Sequence, residues 1–366
     1  MTFNFENPKM TSSFDRRRVL RGMAGAAGVL GLGSVASLTS RAARAADAGM
    51  TPVRFVLDWK LQGVHGWFQL ALARGYFAAE KLDVTIDQGE GSAASVTKVM
   101  AGGYQAGFGD VNAIAQLAAT KPGEAPVMVY MLYNRAPYAL IVKASSPVRS
   151  IRDLEGRTLG SPAGGAAAKM FPVVAARAGI DPAKVQWMNM APNLQEQMLL
   201  KDHVEGSAVF SVTSYMNLVA QGVDPDRDIR WFHYADHGVD LYGNGVLVSR
   251  SFMRDKPEAV AGLVRAIHRA VRDTVADPDA AMAALKAREP LLDIALEKRR
   301  LLYALKTVML TPEVATRGVG DVDDARMARA MGQLQQAFEL PRPPSASEVF
   351  DRRFLPPLEA RKIALA

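Results

Sequence analysis

The sequence predicts an α/β protein built of two units, with the second unit inserted into the first. Short β-rich runs alternate with helical runs from Val53 onward, and the same alternation starts again at Tyr138. A β-rich run at 245–248 then returns to the first unit, and from Pro257 the chain is nearly all helical. Strands that alternate with helices are typical of a mostly parallel sheet, so each unit is expected to hold one.

The first unit shows both periodicities. The run 82–86, Leu-Asp-Val-Thr-Ile, alternates apolar and polar residues as a strand does, whereas Phe68, Leu72 and Tyr76 recur at helical spacing. In order, we predict strand 53–57, helix 66–80, strand 82–86, helix 93–101, strand 106–109, helix 112–119 and strand 127–132.

The second unit repeats this pattern and is followed by helices. Its first helix is closed by Gly179, a residue type that favours helix C-termini. In order, we predict strand 138–142, which leaves the first unit, and then strand 157–160, helix 164–178, strand 185–190, helix 194–200, strand 207–210, helix 214–220 and strand 229–234. After the returning strand at 245–248, helices are predicted at 258–275, 279–289, 295–309 and 323–338.

These elements predict two lobes joined by two chain crossings, which together form a hinge. Lobe 1 is expected to comprise residues 50–141 and 245–340, and lobe 2 residues 142–244. The proline-rich tail, 341–366, is interpreted as an extended strap on the surface.

The segment 1–45 is predicted to be an export signal. Residues 15–21 read Asp-Arg-Arg-Arg-Val-Leu-Arg, a twin-arginine motif, and a weakly apolar Gly/Ala-rich stretch follows at 22–38. A small-x-small cleavage site stands at 43–45. The alternative is an N-terminal membrane anchor, which is disfavoured because a bilayer needs about 20 apolar residues. We therefore expect a periplasmic protein exported by the twin-arginine route.

Composition narrows the functional class further. The chain has no cysteine, so disulfides, thiolate metal sites, a cysteine nucleophile and a lipid-carrying cysteine are all excluded. Of the net charge of +7, the signal segment carries seven Lys/Arg and two Asp/Glu, which leaves 37 basic and 35 acidic residues in the remainder. A nearly neutral chain gives no electrostatic reason to expect nucleic acid as a partner. We expect a monomer.

Ligands of open α/β sheets bind outside the carboxyl ends of the strands, which here means the cleft between the lobes. The turns at these strand ends supply the candidate ligand-binding residues. They are Asp58, Trp59, His65, Ser92, Asp110, Asn112, Asn134, Gly164, Gly165, Ser211, Tyr215, Asp240 and Tyr242.

Each candidate in lobe 1 has a functional and a structural interpretation. Trp59 is expected either to stack on a flat ligand ring or to pack at the rim of the cleft. Asp58 accepts hydrogen bonds from a ligand amine or caps a turn, and His65 donates to the ligand or satisfies backbone groups. Ser92 is predicted to cap the following helix, whose first amides can also hold an anion. Asp110 likewise binds a ligand donor or caps a helix.

The candidates near the crossings and in lobe 2 likewise have both a functional and a structural interpretation. Gly164 and Gly165 mark a second helix start that holds an anion or simply eases packing, and Tyr215 offers another flat ring. Asp240 and Tyr242 either contact the ligand or pack the hinge.

Catalytic and metal motifs are not convincing in this chain. The Ser-x-x-Lys spelling at 95–98 falls within a predicted helix and lacks companion motifs, and the histidines at 233 and 237 fall in a strand and a loop. We predict no catalytic residue, no metal and no cofactor.

Several stretches resemble one protein family. They are Leu-Asp-Trp at 57–59, Ala-Arg-Gly-Tyr-Phe-Ala-Ala-Glu-Lys-Leu-Asp-Val at 73–84, Gly-Gly-Tyr-Gln-Ala-Gly-Phe-Gly-Asp at 102–110, Leu-Glu-Gly-Arg-Thr-Leu-Gly at 154–160, and the helical segment 252–278. These stretches look like the NMT1/THI5-like (SsuA/THI5-like) family, which contains substrate-binding proteins of ABC transporters and yeast thiamine-pyrimidine synthases. The resemblance covers roughly residues 52–310.

The resemblance implies a type II periplasmic-binding-protein fold. Such a protein captures a small molecule between its lobes by hinge closure and delivers it to an ABC permease. The family uses both aromatic heterocycles and small organic acids or sulfonates as ligands. A sensor-linked binding domain is an alternative to a transport role.

The enzyme branch of the family is the second hypothesis. That branch carries a cysteine cluster before the strand that matches 246–248 and a pyridoxal-phosphate lysine that would fall near Tyr104. Both features are missing here, so synthase activity is disfavoured, while binding of a thiamine precursor stays open. Pyrimidine-binding relatives carry a glutamate in the turn that matches 210–214, and its absence counts against a pyrimidine ligand.

Overall fold

The computed structural model of the protein describes residues 49–363, and the export signal predicted for residues 1–45 lies outside them. From Thr51 onward the described chain forms one compact unit. Within it the strands are β1 Thr51–Val56, β2 Leu82–Asp87, β3 Ala106–Asp110, β4 Val127–Met131, β5 Tyr138–Lys143, β6 Thr158–Ser161, β7 Gln186–Asn189, β8 Gly206–Phe210, β9 Ile229–His233 and β10 Asn244–Val248.

The helices connect these strands and then cover the first sheet. They are α1 Gly66–Ala73, α2 Tyr76–Ala79, α3 Ser92–Met100, α4 Val111–Thr120, α5 Ala166–Lys169, α6 Phe171–Ala178, α7 Gln195–Leu200, α8 Ser211–Ala220, α9 Arg250–Asp255, α10 Pro257–Ala276, α11 Pro278–Arg288, α12 Ile294–Ala304, α13 Pro312–Arg317, α14 Asp324–Phe338, α15 Ala346–Val349 and α16 Leu358–Arg361. No helix among the described residues is both long enough and apolar enough to cross a bilayer.

The strands form two five-stranded sheets of the same plan, one in each lobe. The order is β2-β1-β3-β10-β4 in the first sheet and β7-β6-β8-β5-β9 in the second. In each sheet four strands run in the same direction, and the strand that enters from the other lobe, β10 or β5, runs antiparallel to both of its neighbours. The predicted α/β fold of two lobes, with a helical C-terminal part, is therefore confirmed.

The two crossings between the lobes run side by side. The first joins β4 to β5 and the second joins β9 to β10. Backbone hydrogen bonds tie them together: Gly243 donates to the carbonyl of Tyr133 at 2.9 Å, and Ala136 donates to the carbonyl of Leu241 at 3.0 Å. This pair of bonded segments is the hinge that the sequence predicted.

The core of lobe 1 is aromatic. Phe68 on α1 packs against Phe55 of β1 at 5.0 Å between ring centroids and against Phe108 of β3 at 5.4 Å. Tyr133, at the start of the first crossing, packs edge-on against Phe108 at 5.3 Å. Burial of aromatic surface stabilises the sheet and also fixes the end of β4 that leads into the hinge.

Two predicted helices are interrupted. The helix expected at 66–80 breaks between α1 and α2, because Gly75 adopts φ +66°, a left-handed conformation that ends a helix. The helix expected at 295–309 ends as α12 and continues as a π-helical turn at 305–309. This turn lies beside the hinge, where the backbone of Arg135 donates to the carbonyl of Val308 at 3.0 Å.

The C-terminal tail differs from the extended conformation that we expected. It contains the short helices α15 and α16, and Val349 and Phe350 are buried. Phe350 forms a parallel bridge to Met128 on the outer edge of β4. The proline-rich composition hid these apolar residues, which bury against the sheet edge and so hold the tail in place.

Candidate ligand-binding cleft

A pocket lies between the lobes, where the carboxyl ends of β1, β6 and β8 meet. Both lobes supply its walls. Lobe 1 contributes Asp58, Trp59 and Ser92, and lobe 2 contributes Ser161, Pro162, Gly165, Ala166, Ala167, Gln195, Ala208, Val209, Phe210, Thr213 and Ser214. A molecule in this pocket touches both lobes at once, so its contacts are complete only when the lobes are together.

Asp58 is the acidic group of the pocket wall, and it is held from two sides. One carboxyl oxygen lies 2.7 Å from Nε2 of His65, and the other accepts a hydrogen bond from Nδ2 of Asn244 at 2.8 Å. Because Nδ1 of His65 accepts from the backbone N–H of Gln62 at 3.1 Å, the ring proton sits on Nε2 and points at Asp58. Each carboxyl oxygen keeps a further lone pair, so Asp58 remains able to accept from a ligand.

His65 is not among the residues that line the pocket. Its side chain is fully buried behind Asp58, packed edge-on against Phe108 at 6.3 Å. Of the two interpretations made from the sequence, the structural one fits: His65 orients the carboxyl group that faces the pocket.

Ser92 presents a free hydroxyl to the pocket. It is buried, and its Oγ has no hydrogen-bond partner among residues 49–363. The prediction that Ser92 caps the helix is wrong, because the N-cap position of α3 is Gly91 and Ser92 is the first helical residue. Ser95, one turn further on, instead donates to the carbonyl of Leu57 at 2.7 Å. An unpartnered buried hydroxyl is costly, which marks Ser92 as a group that a ligand can satisfy.

Two glycines bring the lobes into backbone contact at the mouth of the cleft. Gly91 has φ +147°, and a Cβ placed on it would lie 2.0 Å from the carbonyl oxygen of Gly164 in lobe 2. A Cβ on Gly164 would in turn lie 2.8 Å from the Cβ of Ala94 on α3. Gly164 therefore serves close approach of the lobes, and the structure shows the cleft closed.

The pocket wall, as formed by the described residues, carries an acidic side chain, Asp58, and no basic one. Among its lining residues on the described chain there is no lysine, arginine or histidine. Behind the wall lies a second acid, Glu196 on α7, which accepts from Oγ of Ser214 at 2.5 Å and whose pKa burial raises. This glutamate reaches the turn 210–214 from another helix, and the sequence alone gave no sign of it. Such a pocket favours ligands that donate hydrogen bonds and disfavours anions.

Asp110 and Asn112 lie at the base of the hinge and outside the pocket lining. Oδ1 of Asp110 caps α4 and accepts from the hydroxyl of Tyr138 at 2.6 Å. Nδ2 of Asn112 donates to the carbonyl of Tyr242 at 2.7 Å. Burial raises the pKa of Asp110 to about 6 and holds that of Tyr138 well above its usual range. These contacts join β3 of lobe 1 to β5 of lobe 2.

Asn134, Asp240 and Tyr242 also belong to the hinge. Arg326 on α14 donates to the side chains of Asn134 at 3.2 Å, Glu313 at 3.1 Å and Asp240 at 2.9 Å. Its guanidinium carbon lies 4.0 Å from the centre of the Tyr242 ring, and the Tyr242 hydroxyl donates to Glu313 at 2.6 Å. This group, the hinge cluster, fastens both crossings to the C-terminal helices.

Ser211 and Tyr215 on α8 do not line the pocket. The backbone of Ser211 donates to the carbonyl of Pro137 at the end of the first crossing, at 2.8 Å. Tyr215 stacks on Tyr303 of α12 with 5.0 Å between ring centroids, and its hydroxyl donates to Asp226 at 2.7 Å. The ring of Tyr215, which we expected to contact the ligand, thus packs between α8 and α12.

Four of the thirteen candidate residues line the pocket: Asp58, Trp59, Ser92 and Gly165. Sequence reasoning missed Gln195, at the start of α7, whose Nε2 donates to the carbonyl of Ala208 at 2.8 Å. It also missed Phe210 and Thr213 as wall residues, although it singled out the turn that contains them. No cluster of three or more His, Asp or Glu side chains in the described chain is placed to hold a metal ion.

The profile of the family described as NMT1/THI5 like matches residues 62–281. The chain belongs to this family. It is 27% identical over 297 residues to the riboflavin-binding protein RibY of Chloroflexus aurantiacus, an alignment that covers 79% of this chain and 82% of RibY. It is also 27% identical over 246 residues to the formylaminopyrimidine-binding protein of Halalkalibacterium halodurans, covering 65% of this chain and 71% of that protein. Both of these relatives are named as binding proteins.

Solved structures confirm the fold. The alkanesulfonate-binding protein SsuA from Xanthomonas axonopodis pv. citri, bound to MOPS, superposes with a TM-score of 0.62 at 16% identity, covering 82% of this chain and 98% of SsuA. The periplasmic aliphatic sulphonate binding protein SsuA from Escherichia coli superposes with a TM-score of 0.60 at 13% identity, covering 84% and 94%. The periplasmic-binding-protein fold predicted for this family member is therefore correct.

Proposed function

We propose that this protein is the periplasmic solute-binding component of an ABC importer, which closes its lobes on a small molecule and delivers it to a permease. The observation that carries the proposal is the pocket walled by both lobes. A ligand that contacts Asp58 and Ser92 on one side and Thr213 and Gln195 on the other favours the closed arrangement over the open one. Such closure gives a permease a shape by which to distinguish the loaded protein from the empty one.

We further propose that the ligand is an uncharged or cationic nitrogen heterocycle and that sulfonates and carboxylates are excluded. Asp58 accepts from ring or amino N–H groups, and the hydroxyl of Ser92 serves a ligand carbonyl or ring nitrogen. Trp59 and Phe210 supply apolar aromatic surface.

The relatives support this ligand class. Riboflavin and formylaminopyrimidine, the ligands in the names of the two sequence relatives, are both nitrogen heterocycles. The sulfonate-binding structures share the fold at much lower identity, and a sulfonate in this pocket would face Asp58 without a basic partner. Glu196 supplies the acid near the turn 210–214 whose absence from the local sequence counted against pyrimidines.

The deciding experiment is native mass spectrometry of the protein purified from the periplasm of its own host, followed by denaturation to release any bound compound. In parallel, thermal unfolding is measured with riboflavin, formylaminopyrimidine and MOPS. A ligand at 100 times its dissociation constant adds about 2.7 kcal/mol to the free energy of unfolding. A released heterocycle, or stabilisation by a heterocycle but not by MOPS, supports the proposal. A released sulfonate, or stabilisation by MOPS alone, contradicts the ligand class.

The transport role is tested separately. Deletion of the gene is expected to abolish uptake of the released compound by intact cells, and a plasmid copy is expected to restore it. Unchanged uptake in the deletion strain, with binding intact, would exclude delivery to a permease and leave a binding protein that serves another partner.

A further inference from the structure

The buried side chain of Arg300 bridges the two lobes. Arg300 lies on α12, one of the helices that follow β10, and is 3% exposed. Its Nη1 donates to the backbone carbonyl of Thr213 at 2.5 Å, and its Nη2 donates to Oδ1 of Asn217 at 3.0 Å. Both acceptors belong to α8 of lobe 2. A guanidinium with so little access to water depends on these acceptors for its remaining donors.

On the side of lobe 1 the guanidinium is fixed by Glu297, one turn earlier on α12. Nε donates to Oε2 of Glu297 at 2.9 Å and Nη2 to Oε1 at 3.2 Å. Glu297 also accepts from the backbone of Gly63 at 2.5 Å, and a Cβ on Gly63 would lie 2.0 Å from the carbonyl oxygen of Glu297. The helix therefore rests directly on the loop that follows Trp59, and Arg300 is oriented before it meets lobe 2.

On the side of lobe 2 the acceptors form part of the pocket wall. Thr213 lines the pocket, and its Oγ1 donates to Oε1 of Gln62 in lobe 1 at 3.2 Å. Asn217 donates to Glu196 at 3.3 Å, and Glu196 accepts from Ser214, another wall residue, at 2.5 Å. Hydrogen bonds thus run from Arg300 into the first turns of α8, which form one side of the cleft.

We propose that Arg300 is a positioning residue that holds the lobes closed around the ligand. Arg300 does not itself line the pocket, but it contacts the wall residue Thr213 from behind. It fixes α8 against α12, so that the wall formed by Thr213 and Ser214 faces Asp58 and Ser92 when the cleft is shut. That closure serves ligand capture rests on the proposed function, whereas closure itself can be measured without any ligand.

The absence of cysteine makes the test direct, because two introduced cysteines are the only labelling sites. Thr97 on α3 and Lys169 on α5 are exposed, and these two helices meet across the mouth of the cleft. Spin labels on Thr97→Cys and Lys169→Cys report the opening of the unliganded protein as a distance distribution. Hydrogen bonds to a charged group are worth enough that Arg300→Met is expected to raise the open fraction roughly tenfold. Arg300→Lys is expected to restore closure only in part, since it keeps the charge without the fork of donors.

Two further variants keep the test decisive. Asn217→Ala removes one acceptor on lobe 2, leaves Arg300 paired with Glu297, and is expected to shift the distances in the same direction by a smaller amount. Arg265→Met, which breaks an exposed ion pair with Glu80 inside lobe 1, is the control and is expected to keep the wild-type distribution. If Arg300→Met fails to fold, Asn217→Ala alone decides the question.

The outcomes separate this proposal from the proposed function. Wild-type distances in both Arg300→Met and Asn217→Ala would overturn the role of Arg300, whatever the protein binds. A shift in distance that accompanies Arg300→Met but not Arg265→Met supports it, even if riboflavin and formylaminopyrimidine both fail to bind. A lowered unfolding temperature without a shift in distance means that Arg300 only stabilises the fold, and would also overturn the proposal.

Discussion

Substitution of Gly91 by alanine is expected to open the cleft. The new Cβ would lie 2.0 Å from the carbonyl oxygen of Gly164, whereas ordinary contact begins at 3.4 Å, so the two backbones must separate by about 1.4 Å. Neither atom belongs to a flexible side chain, and φ +147° is itself unfavourable for alanine. The unfavourable φ costs roughly 1–3 kcal/mol whether the cleft is open or closed. The overlap with Gly164 exists only in the closed state, so opening relieves it, and each 1.4 kcal/mol of overlap energy lowers the closed population about tenfold.

The assay is the distance between spin labels at positions 97 and 169, together with the affinity of the protein for the compound that mass spectrometry releases from it. Gly102→Ala is the matched control, because Gly102 also has a positive φ, +80°, but its Cβ would meet nothing within 4 Å. That control is expected to lose roughly 1 kcal/mol of stability and no affinity. Wild-type distances and wild-type affinity in Gly91→Ala would refute the idea that the contact between Gly91 and Gly164 belongs to a closed state that can open.

Three other results are expected. Ser92→Ala removes an unpartnered hydroxyl, so it is expected to leave stability unchanged or raised, while affinity for the compound released from the protein falls roughly 3- to 10-fold. Ser95→Ala, which loses a hydrogen bond to the carbonyl of Leu57 just after β1, is expected to lower stability and leave that affinity unchanged, as melting and titration experiments would show. Burial raises the pKa of Asp110 from 3.8 to about 6, so the folded state binds the extra proton and stability falls as the pH rises between these values and is level above them. Asp110→Asn is expected to remove that pH dependence. If the urea midpoint changes between pH 4 and pH 6 by the same amount in the wild type and in Asp110→Asn, the argument is contradicted. Arg326→Ala is expected to cost roughly 3 kcal/mol in urea unfolding, against about 0.5 kcal/mol or less for the exposed Arg329→Ala on the same helix, and equal losses would argue against the hinge cluster.

The alternation of periodicities was enough to predict the fold. The period of two in the run 82–86 was enough to predict a strand, and the renewed alternation of strands and helices after residue 142 predicted the second sheet. The strand at Tyr138 was assigned to the first unit, whereas it pairs within the second sheet. The interruptions were harder to predict, because Gly75 is compatible with a helix until its left-handed φ is known. The tail was misjudged for a related reason: whether Val349 and Phe350 are buried depends on the free edge of β4, which the local sequence does not contain.

The site could be predicted only as far as strand ends predict it. Asp58, Trp59 and Ser92 follow the first strands of lobe 1 and do line the pocket. Tyr215 looked equally suitable, but its ring stacks on Tyr303, a residue far along the chain that comes close only in the folded protein. The role of Arg300 could not be predicted, because an arginine within a charged helical stretch is normally expected to face solvent. Its burial becomes evident only when the two lobes are in contact.

The position of β10 imposes an order on the assembly of the molecule. Strand β4 pairs with β10 and with no other strand among the described residues, and β10 leaves the ribosome only after the whole of lobe 2. The second sheet, by contrast, is drawn from the continuous stretch 138–233 and needs nothing made later. Lobe 2 can therefore fold first, and the first sheet is completed only when β10, which follows lobe 2 in the chain, inserts between β3 and β4. A chain stopped at residue 243 would carry a complete second sheet beside a β4 with no strand to bind.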